Sequence, residues 1–273
     1  NRPVRGQGRR ARAPGRWAEV GRKGPKRHLK RYPAPAFWPI FRKERTWTIR
    51  PLPGPHPIER CIPLAIVVRD VLGLAKTARE ARIIIKRGHI KVDGVVRKEP
   101  KFPVGLMDVI TIEKLGQSFR VLPTPKGLGL HPIDGEEVSF KLCRIENKTT
   151  VKGGHIQLNL HDGRNVLIRV ADPTSPVEDI YKTLDTLKLG LPGQELQEHF
   201  GLEEGAYAIV TGGKNVGLHG RIVAIRGLQG MKRRRFEVEL EAPTGERFRS
   251  ILDYVFVVGH EEPAISLPEV SKR

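Results

Sequence analysis

The sequence predicts an α+β protein of several small domains that follow a basic, extended N-terminal tail. Three observations indicate this class. Cationic residues are concentrated in the first fifty positions, where acidic residues are scarce. Residues 77–96 combine a helix pattern with a β-hairpin pattern, and after residue 114 the chain shows only short strand patterns separated by turns. A chain of 273 residues has room for two or more such units.

The N-terminal tail, residues 1–56, carries most of the positive charge. The chain has 49 Lys and Arg against 30 Asp and Glu, a formal net charge of +19, and residues 1–50 alone hold 16 basic and 2 acidic residues. This composition buries too little apolar surface to offset the entropy of ordering, so we expect the tail to be disordered until it meets a polyanion. No apolar run approaches the ~18 residues of a membrane span, and we expect a soluble protein.

Aromatic residues interrupt the cationic run of the tail, among them Phe37, Trp38, Phe41 and Trp47. Cations interleaved with aromatic rings suit RNA, because the cations contact phosphates while the rings stack on unpaired bases. For the two tryptophans a second role is equally open, which is to pin the tail to the first domain. For the cations we favour phosphate contact.

The first domain, residues 57–113, is organised around a capped helix. Thr77 can cap this helix through its hydroxyl while Glu80, three residues later, reaches back to free backbone N–H groups. Gly88 is placed to end the helix. A shorter helix over residues 63–72 is predicted to precede it, since a proline at the first helical turn is followed by an apolar run.

A β-hairpin follows the capped helix. The apolar period changes to two after residue 88, and Asp93-Gly94 can supply the positive φ angles of a tight turn. A strand over residues 108–112 closes the domain.

The exposed face of the capped helix is predicted to be cationic. At about 100° per residue, Arg79, Arg82 and Lys86 share one side. The opposite side carries apolar residues, which are Ala78, Ala81, Ile84 and Ile85. A charged helix face is usually a solvated face, but this one is nearly single-signed, and crowded like charges favour an anionic partner. Lys91 extends the positive surface onto the hairpin. This arrangement with its G-H-I-x-V-D-G pattern resembles a small RNA-binding module found in a small-subunit ribosomal protein, some pseudouridine synthases and certain tRNA synthetases.

The central domain, residues 114–201, is predicted to be rich in β-structure. Its alternating patterns predict strands at residues 118–122, 140–145, 155–160 and 165–170. The lone residues His131 and His155 are expected to be structural rather than metal ligands.

The last domain, residues 202–273, is predicted to be a small β-barrel. A strand over 207–211, a glycine-rich loop and the Gly217-x-x-Gly220 pattern resemble the KOW motif of SH3-like barrels. Gly213-Lys214 lacks the flanking residues of a phosphate-binding loop, which excludes that motif. A predicted loop carries a cluster of four cations, which we expect to contact phosphate: Lys232, Arg233, Arg234 and Arg235.

The order of tail, RNA-binding module, β-rich centre and KOW barrel resembles the archaeal and eukaryotic small-subunit ribosomal protein family S4e. The residues that carry this resemblance are GPKRHLKR (24–31), RPLPGPHPIER (50–60), IPL with RDVLGLA (within 62–75), FPVGLMDVI (102–110), KLCRIENKTTVKGGHIQLNLHDGRN (141–165) and VTGGKNVG (210–217). Residues 1–20 lie outside the family pattern.

The resemblance implies a structural, non-catalytic constituent of the small ribosomal subunit that supports subunit assembly and translation. Its implied partners are ribosomal RNA and neighbouring ribosomal proteins, with no membrane, small-molecule substrate, metal or cofactor, and its implied location is the ribosome in the cytoplasm. The RNA-binding residues carried over are Arg22, Lys23, Lys26, Arg27, His28, Lys30, Arg31, Arg79, Arg82, Lys86 and Lys91, with Lys214 and Asn215 in the KOW loop.

Two other functions remain open from the residues alone. A pseudouridine synthase could carry the same module, but its catalytic Asp context is missing, and neither an acid–base pair nor metal-ligand spacing is found. A transcription or translation factor could use the KOW barrel to bind proteins.

Overall fold

The computed structural model describes residues 28–172, 177–228 and 235–268. Within these ranges the chain forms five antiparallel sheets and few helices. The N-terminal part begins with a two-stranded ribbon, in which Leu29 pairs with Thr48. The elements of this part are β1 (Leu29–Lys30), β2 (Trp47–Thr48), a 3₁₀ turn (Ile58–Arg60), β3 (Cys61–Pro63), α1 (Leu64–Ile66) with its π-helical continuation (Val67–Val71), and α2 (Ala78–Lys86).

The second group of elements forms a five-stranded sheet and a short ribbon. Its strands are β4 (Ile90–Val92), β5 (Val95–Val96), β6 (Pro103–Gly105), β7 (Val109–Ile112), β8 (Gln117–Thr124) and β9 (Gly127–Ile133). The sheet order is β5-β4-β7-β8-β9, while β6 pairs with β3. Because β7 and β8 pair in register from Val109 opposite Arg120, the sheet of the first domain continues to Ile133. The domain boundary predicted at residues 113 and 114 therefore falls inside a continuous sheet.

The central sheet confirms three of the strands predicted for the central domain, those at residues 140–145, 155–160 and 165–170, whereas the predicted strand 118–122 lies in β8 of the preceding sheet. After a 3₁₀ turn (Gly135–Ser139) the central sheet contains β10 (Phe140–Thr150), β11 (Ile156–Leu160), β12 (Asn165–Ile168), β13 (Thr186–Gly190) and β14 (Leu196–Phe200). Its order is β12-β11-β10-β13-β14. His155 is structural, as expected, because its Nδ1 accepts a hydrogen bond of 3.1 Å from the backbone N–H of Val170.

The C-terminal sheet has the order β18-β17-β16-β15-β19. Its elements are β15 (Tyr207–Val210), β16 (His219–Leu228), β17 (Arg235–Glu241), β18 (Arg247–Ile251), a 3₁₀ turn (Leu252–Tyr254) and β19 (Val255–Gly259). Gly220 is the second residue of β16 and lies beside the end of the paired strand β17. A Cβ at this position would collide with the backbone carbonyl of Glu241. Close approach, rather than a positive φ angle, therefore explains the glycine.

Three apolar cores hold the described residues together. One lies under α2, one inside the central sheet, and the third joins the C-terminal sheet to the rest of the chain. Strand β10 links two of them, since Leu142 packs in the C-terminal core and Ile145 in the central core. Met107 and Leu122 of the first domain also enter the C-terminal core. Burial of these shared residues ties the parts into one packed unit.

The N-terminal segment from residue 28 onward is folded against the first domain. Trp38 is 3% exposed and lies in the core under α2, and its Nε1 donates a 2.8 Å hydrogen bond to the carbonyl oxygen of Cys61. The prediction of a wholly extended tail is therefore wrong for residues 28–56, because a buried indole and its hydrogen bond anchor them. For residues 1–27, which lie outside the described residues, it stays a prediction. In the part of the chain that the structure describes, no helix has the length and apolar character needed to cross a membrane.

Candidate RNA-binding surface

Helix α2 has the predicted caps at both ends. Thr77 Oγ1 accepts a hydrogen bond of 3.2 Å from the backbone N–H of Glu80, and the Glu80 carboxylate accepts one of 2.9 Å from the N–H of Lys76. The hydrogen bond from the Lys76 backbone, followed by that of Thr77, lowers the pKa of Glu80. Gly88 has a φ of +81° and follows the last turn. The helix is thus fixed in length by local interactions.

The two faces of α2 differ as the period predicts. Ala81 and Ile85 are fully buried. The opposite face presents the side chains of Arg79, Arg82 and Lys86 to solvent, and we call these three residues the α2 stripe. Among the described residues none of the three forms an ion pair with a carboxylate. Three neighbouring cations without a protein counter-charge attract an anion, and a polyphosphate backbone supplies such charges in series.

The hairpin after α2 has the predicted turn, with φ angles of +52° at Asp93 and +75° at Gly94. Lys91 lies on this hairpin but forms an ion pair of 2.7 Å with Glu113. Its charge is therefore partly compensated within the protein, unlike the charges of the α2 stripe. Lys91 is therefore expected to contribute less to phosphate binding than the residues of the α2 stripe.

The N-terminal cations fall into two groups. His28 and Lys30 are exposed and flank Trp47, whose ring centroid lies 5.8 Å from both the imidazole centroid and the lysine Nζ. Arg31, in contrast, has a side chain only 6% exposed and is paired with Glu44 at 3.0 Å. The expectation that Arg31 contacts RNA is corrected, because its guanidinium is used inside the protein. The other predicted cations, Arg22, Lys23, Lys26 and Arg27, lie outside the described residues.

The predicted RNA-binding residues of the C-terminal part also differ in exposure and in hydrogen bonding. Lys214 is exposed on the loop after β15. Asn215 is half-buried, and its Nδ2 donates a hydrogen bond of 2.8 Å to the carbonyl of Arg249, so it holds this loop in place. Lys232, Arg233 and Arg234 lie outside the described residues, and Arg235 begins β17, paired with Leu228.

Sequence reasoning missed a buried ionic network between the first domain and the central sheet. Lys141 on β10 is fully buried, and its Nζ lies 2.9 Å from Asp93, 2.5 Å from Asp108 and 3.0 Å from Asp162. Two further side chains complete the set, since Arg164 pairs with Asp93 and Asp162, and His56 Nε2 lies 3.0 Å from Asp108. The signal available in the sequence was a lysine inside an apolar strand pattern, which requires a buried partner.

The charges of this network shift the pKa values of its members. Burial acts to raise the pKa of Asp108, but Lys141 and His56 outweigh it and hold that pKa well below its usual range. For Asp93, burial and the neighbouring Asp108 prevail over Lys141 and raise the pKa. Burial opposes the charge of Lys141, yet Asp108 and Asp93 raise its pKa well above the ordinary value. The three carboxylates are therefore held together by their attraction to the ammonium group of Lys141.

Next to this network, Cys143, His161 and Asp162 each have one atom of a metal-ligand type, and these three atoms lie within 4.8 Å of one another. The three side chains are nevertheless unsuited to bind a metal ion. Both ring nitrogens of His161 are occupied, Nδ1 by the backbone N–H of Arg144 and Nε2 by the carbonyl of Leu106, each at 3.2 Å. Burial raises the pKa of the Cys143 thiol well above its ordinary value, so the thiolate that a metal needs is disfavoured.

The chain matches three family models, described as Ribosomal family S4e over residues 115–196, RS4NT (NUC023) domain over residues 23–59, and S4 domain over residues 62–110. It is 59% identical over 251 residues to the small ribosomal subunit protein eS4 of Staphylothermus marinus, covering 92% of this chain and 99% of that protein.

More distant relatives give the same result. The small ribosomal subunit protein eS4 of Methanocaldococcus jannaschii is 52% identical over 251 residues, covering 91% of this chain and all of that protein (100%). The crystal structure of the 30S ribosomal protein S4e from Thermoplasma acidophilum is 32% identical and superposes with a TM-score of 0.60, covering 74% of this chain and 96% of that one.

Proposed function

The chain belongs to the ribosomal family S4e, and from this premise we propose that it binds ribosomal RNA through the phosphate contacts of the α2 stripe. It is a structural constituent of the small ribosomal subunit and not an enzyme. The observation that carries the proposal is the pairing of a buried apolar face with three exposed cations on one capped helix. The helix is held rigidly by its buried side, so the charges are positioned before RNA arrives.

Further phosphate contacts are added to the stripe in this proposal. His28 and Lys30 are exposed in the N-terminal segment beside Trp47, and Arg22, Lys23, Lys26 and Arg27 add four charges earlier in the sequence. Lys91 contributes less, since Glu113 already binds it. The loop with Lys214, before β16, and the cluster Lys232 to Arg235, after β16 in the sequence, are two further proposed phosphate-binding segments.

Three finer points belong to the same proposal. We take the C-terminal sheet as a KOW-type SH3-like barrel, which is supported by its five antiparallel strands with β19 beside β15 and by the glycine at residue 220. Neighbouring ribosomal proteins are the expected partners of the remaining surface. The cytoplasmic ribosome is the expected location.

The proposal is tested by measuring the affinity of the full chain for a transcript of the small-subunit ribosomal RNA over a series of salt concentrations. Each phosphate contact contributes about 0.7 to 0.9 to the slope of log K against log salt. Replacing the α2 stripe by glutamine (Arg79→Gln, Arg82→Gln, Lys86→Gln) should lower the slope by roughly two to three units.

A matched control removes three exposed cations from the central part of the chain, as Lys152→Gln, Arg169→Gln and Lys182→Gln. The control carries the same loss of net charge, so its slope should stay near that of the wild type. Equal slope changes in the two variants would show that net charge, and not the α2 stripe, drives binding.

A further inference from the structure

Three large aromatic side chains project into solvent from the N-terminal segment. Tyr32 is 74% exposed, Phe41 80% and Trp47 57%, and we call these three residues the aromatic platform. They are the most exposed aromatic side chains of the described residues, where the next are Phe236 and Tyr254 at 39%. Large apolar rings left in water at this level indicate a surface that is covered by a partner.

The backbone that bears the aromatic platform is held by two arginines turned inward. Arg31 donates hydrogen bonds to the carbonyls of Phe41 (2.6 Å) and Trp47 (3.4 Å). Arg42 donates to the carbonyl of Tyr32 at 2.7 Å and to that of Pro35 at 3.0 Å. Every platform residue therefore has its carbonyl fixed by a guanidinium group. This arrangement lowers the entropy that the backbone of the segment loses when a ligand binds the rings.

The charges around the platform are positive. Lys30 Nζ lies 5.8 Å from the ring of Trp47, and the side chains of Lys43 and Arg45 are exposed. Glu44 is the acidic residue of this stretch, and it is paired with the buried Arg31 at 3.0 Å and with the exposed Arg45 at 3.8 Å. Exposed rings flanked by cations suit a ligand with flat apolar faces joined by anionic links, which describes a single strand of nucleic acid.

We propose that the aromatic platform stacks unpaired bases of RNA while Lys30 and Lys43 bind the adjoining phosphates. This inference rests on the proposed RNA binding and adds a second kind of contact to it. The α2 stripe offers charges with one exposed aliphatic neighbour, Ile83, and no ring, so it binds backbone phosphates in paired or unpaired RNA alike. The platform requires bases that are free of pairing, because only these expose their faces.

The test uses the full chain with two defined probes, a 12-nucleotide single strand of uridines and a fully paired 12-base-pair RNA duplex. The platform variant Tyr32→Leu, Phe41→Leu, Trp47→Leu should bind the single strand at least about fivefold more weakly, since base stacking contributes a factor of five or more per base. Its affinity for the duplex and its salt slope should equal those of the wild type. Trp47→Phe, which keeps a ring, should retain more of the single-strand affinity than Trp47→Leu.

Two controls make the outcomes separable. The variant Leu167→Ala, Val177→Ala, Ile180→Ala removes three exposed apolar side chains from the central part and should leave both affinities unchanged. The α2 stripe variant should lose salt slope with both probes. If that loss is seen and the platform variant still binds the single strand like the wild type, the platform proposal is overturned while RNA binding by α2 stands, and the rings then face a protein. If the platform variant loses single-strand affinity while the α2 stripe variant keeps the wild-type salt slope, the platform proposal stands and phosphate binding by the α2 stripe is overturned.

Discussion

The Nζ of Lys141 lies 2.5 Å from Oδ1 of Asp108, and the two side chains are 0% and 1% exposed. Lys141 stands on β10 of the central sheet, whereas Asp108 directly precedes β7 of the first domain. The pair therefore joins two parts of the chain through charges that have no access to water. Asp108 is further held by His56 at 3.0 Å and by the backbone N–H of Gly105 at 2.8 Å.

Replacing Lys141 with methionine should destabilise the whole chain strongly. The change leaves the carboxylates of Asp93, Asp108 and Asp162 close together without their central cation, and breaking a buried pair in this way typically costs about 3–5 kcal/mol. Denaturant unfolding of the full chain measures the loss. As a control, Lys188→Met removes a partly exposed ion pair with Glu198 and should cost at most about 1 kcal/mol. A Lys141→Met variant as stable as the Lys188→Met variant would contradict the role assigned to the network.

Acid should weaken the protein through His161 in a defined pH window. Burial, with the charge of Lys141, lowers the pKa of His161 from 6.5 to about 4. The unfolded chain therefore takes up a proton at this residue below pH 6.5 while the folded chain stays neutral down to about pH 4. The stability associated with the neutral ring is complete above pH 6.5 and falls as the pH drops through this window.

The variant His161→Gln tests this pH dependence, because its amide can still accept from Arg144 and donate to Leu106 but cannot titrate. The unfolding midpoint of the variant should vary less between pH 6.5 and 4 than that of the wild type. A remaining slope is expected from His219, whose pKa burial also lowers. Identical pH profiles for variant and wild type would refute the assignment.

The elements that depend on neighbouring residues could be predicted from the sequence. The cap at Thr77, the helix end at Gly88 and the turn at Asp93 and Gly94 all rest on contacts within four residues, and the structure confirms each. Strand positions followed from alternating apolar residues. The pairing of strands did not, because an alternating pattern does not specify its partner. The strand at residues 118–122 was therefore assigned to the central domain, whereas β8 pairs with β7 of the first domain.

Contacts between distant residues account for what the sequence did not predict. Asp93 and Lys141 are 48 positions apart. The Asp-Gly pair predicted only a turn and the apolar strand around Lys141 predicted only a core position, so neither pattern indicated that the two residues meet. Arg31 looked like its cationic neighbours, but its carbonyl partners exist only once residues 41–47 fold back on it. The sequence left Trp38 and Trp47 equivalent, whereas the structure buries the first and exposes the second.

The substitution Gly220→Val should destabilise the C-terminal sheet. The backbone carbonyl of Glu241 occupies the place of any side chain at residue 220, so β16 and β17 must separate. Overpacking of this kind typically costs about 1–3 kcal/mol, measured as a lower unfolding midpoint of the full chain. Gly227→Ala serves as a control on the same strand, because its Cβ would meet only the ring of Phe236 at an ordinary 3.6 Å. Equal melting of the two variants would show that strand β16 does not need the close approach at Gly220.

The substitution Ile85→Ala separates the structural face of α2 from its proposed RNA-binding face. Ile85 is fully buried in the core under α2, so its truncation should cost about 2–5 kcal/mol. Ile83→Ala is the matched control, since Ile83 lies on the same helix with 43% exposure and should change stability by no more than about 0.5 kcal/mol. Below the unfolding transition, Ile85→Ala should keep the wild-type salt slope for RNA, because the α2 stripe is intact. A reduced slope in folded Ile85→Ala protein would mean that the apolar face itself contributes to RNA binding.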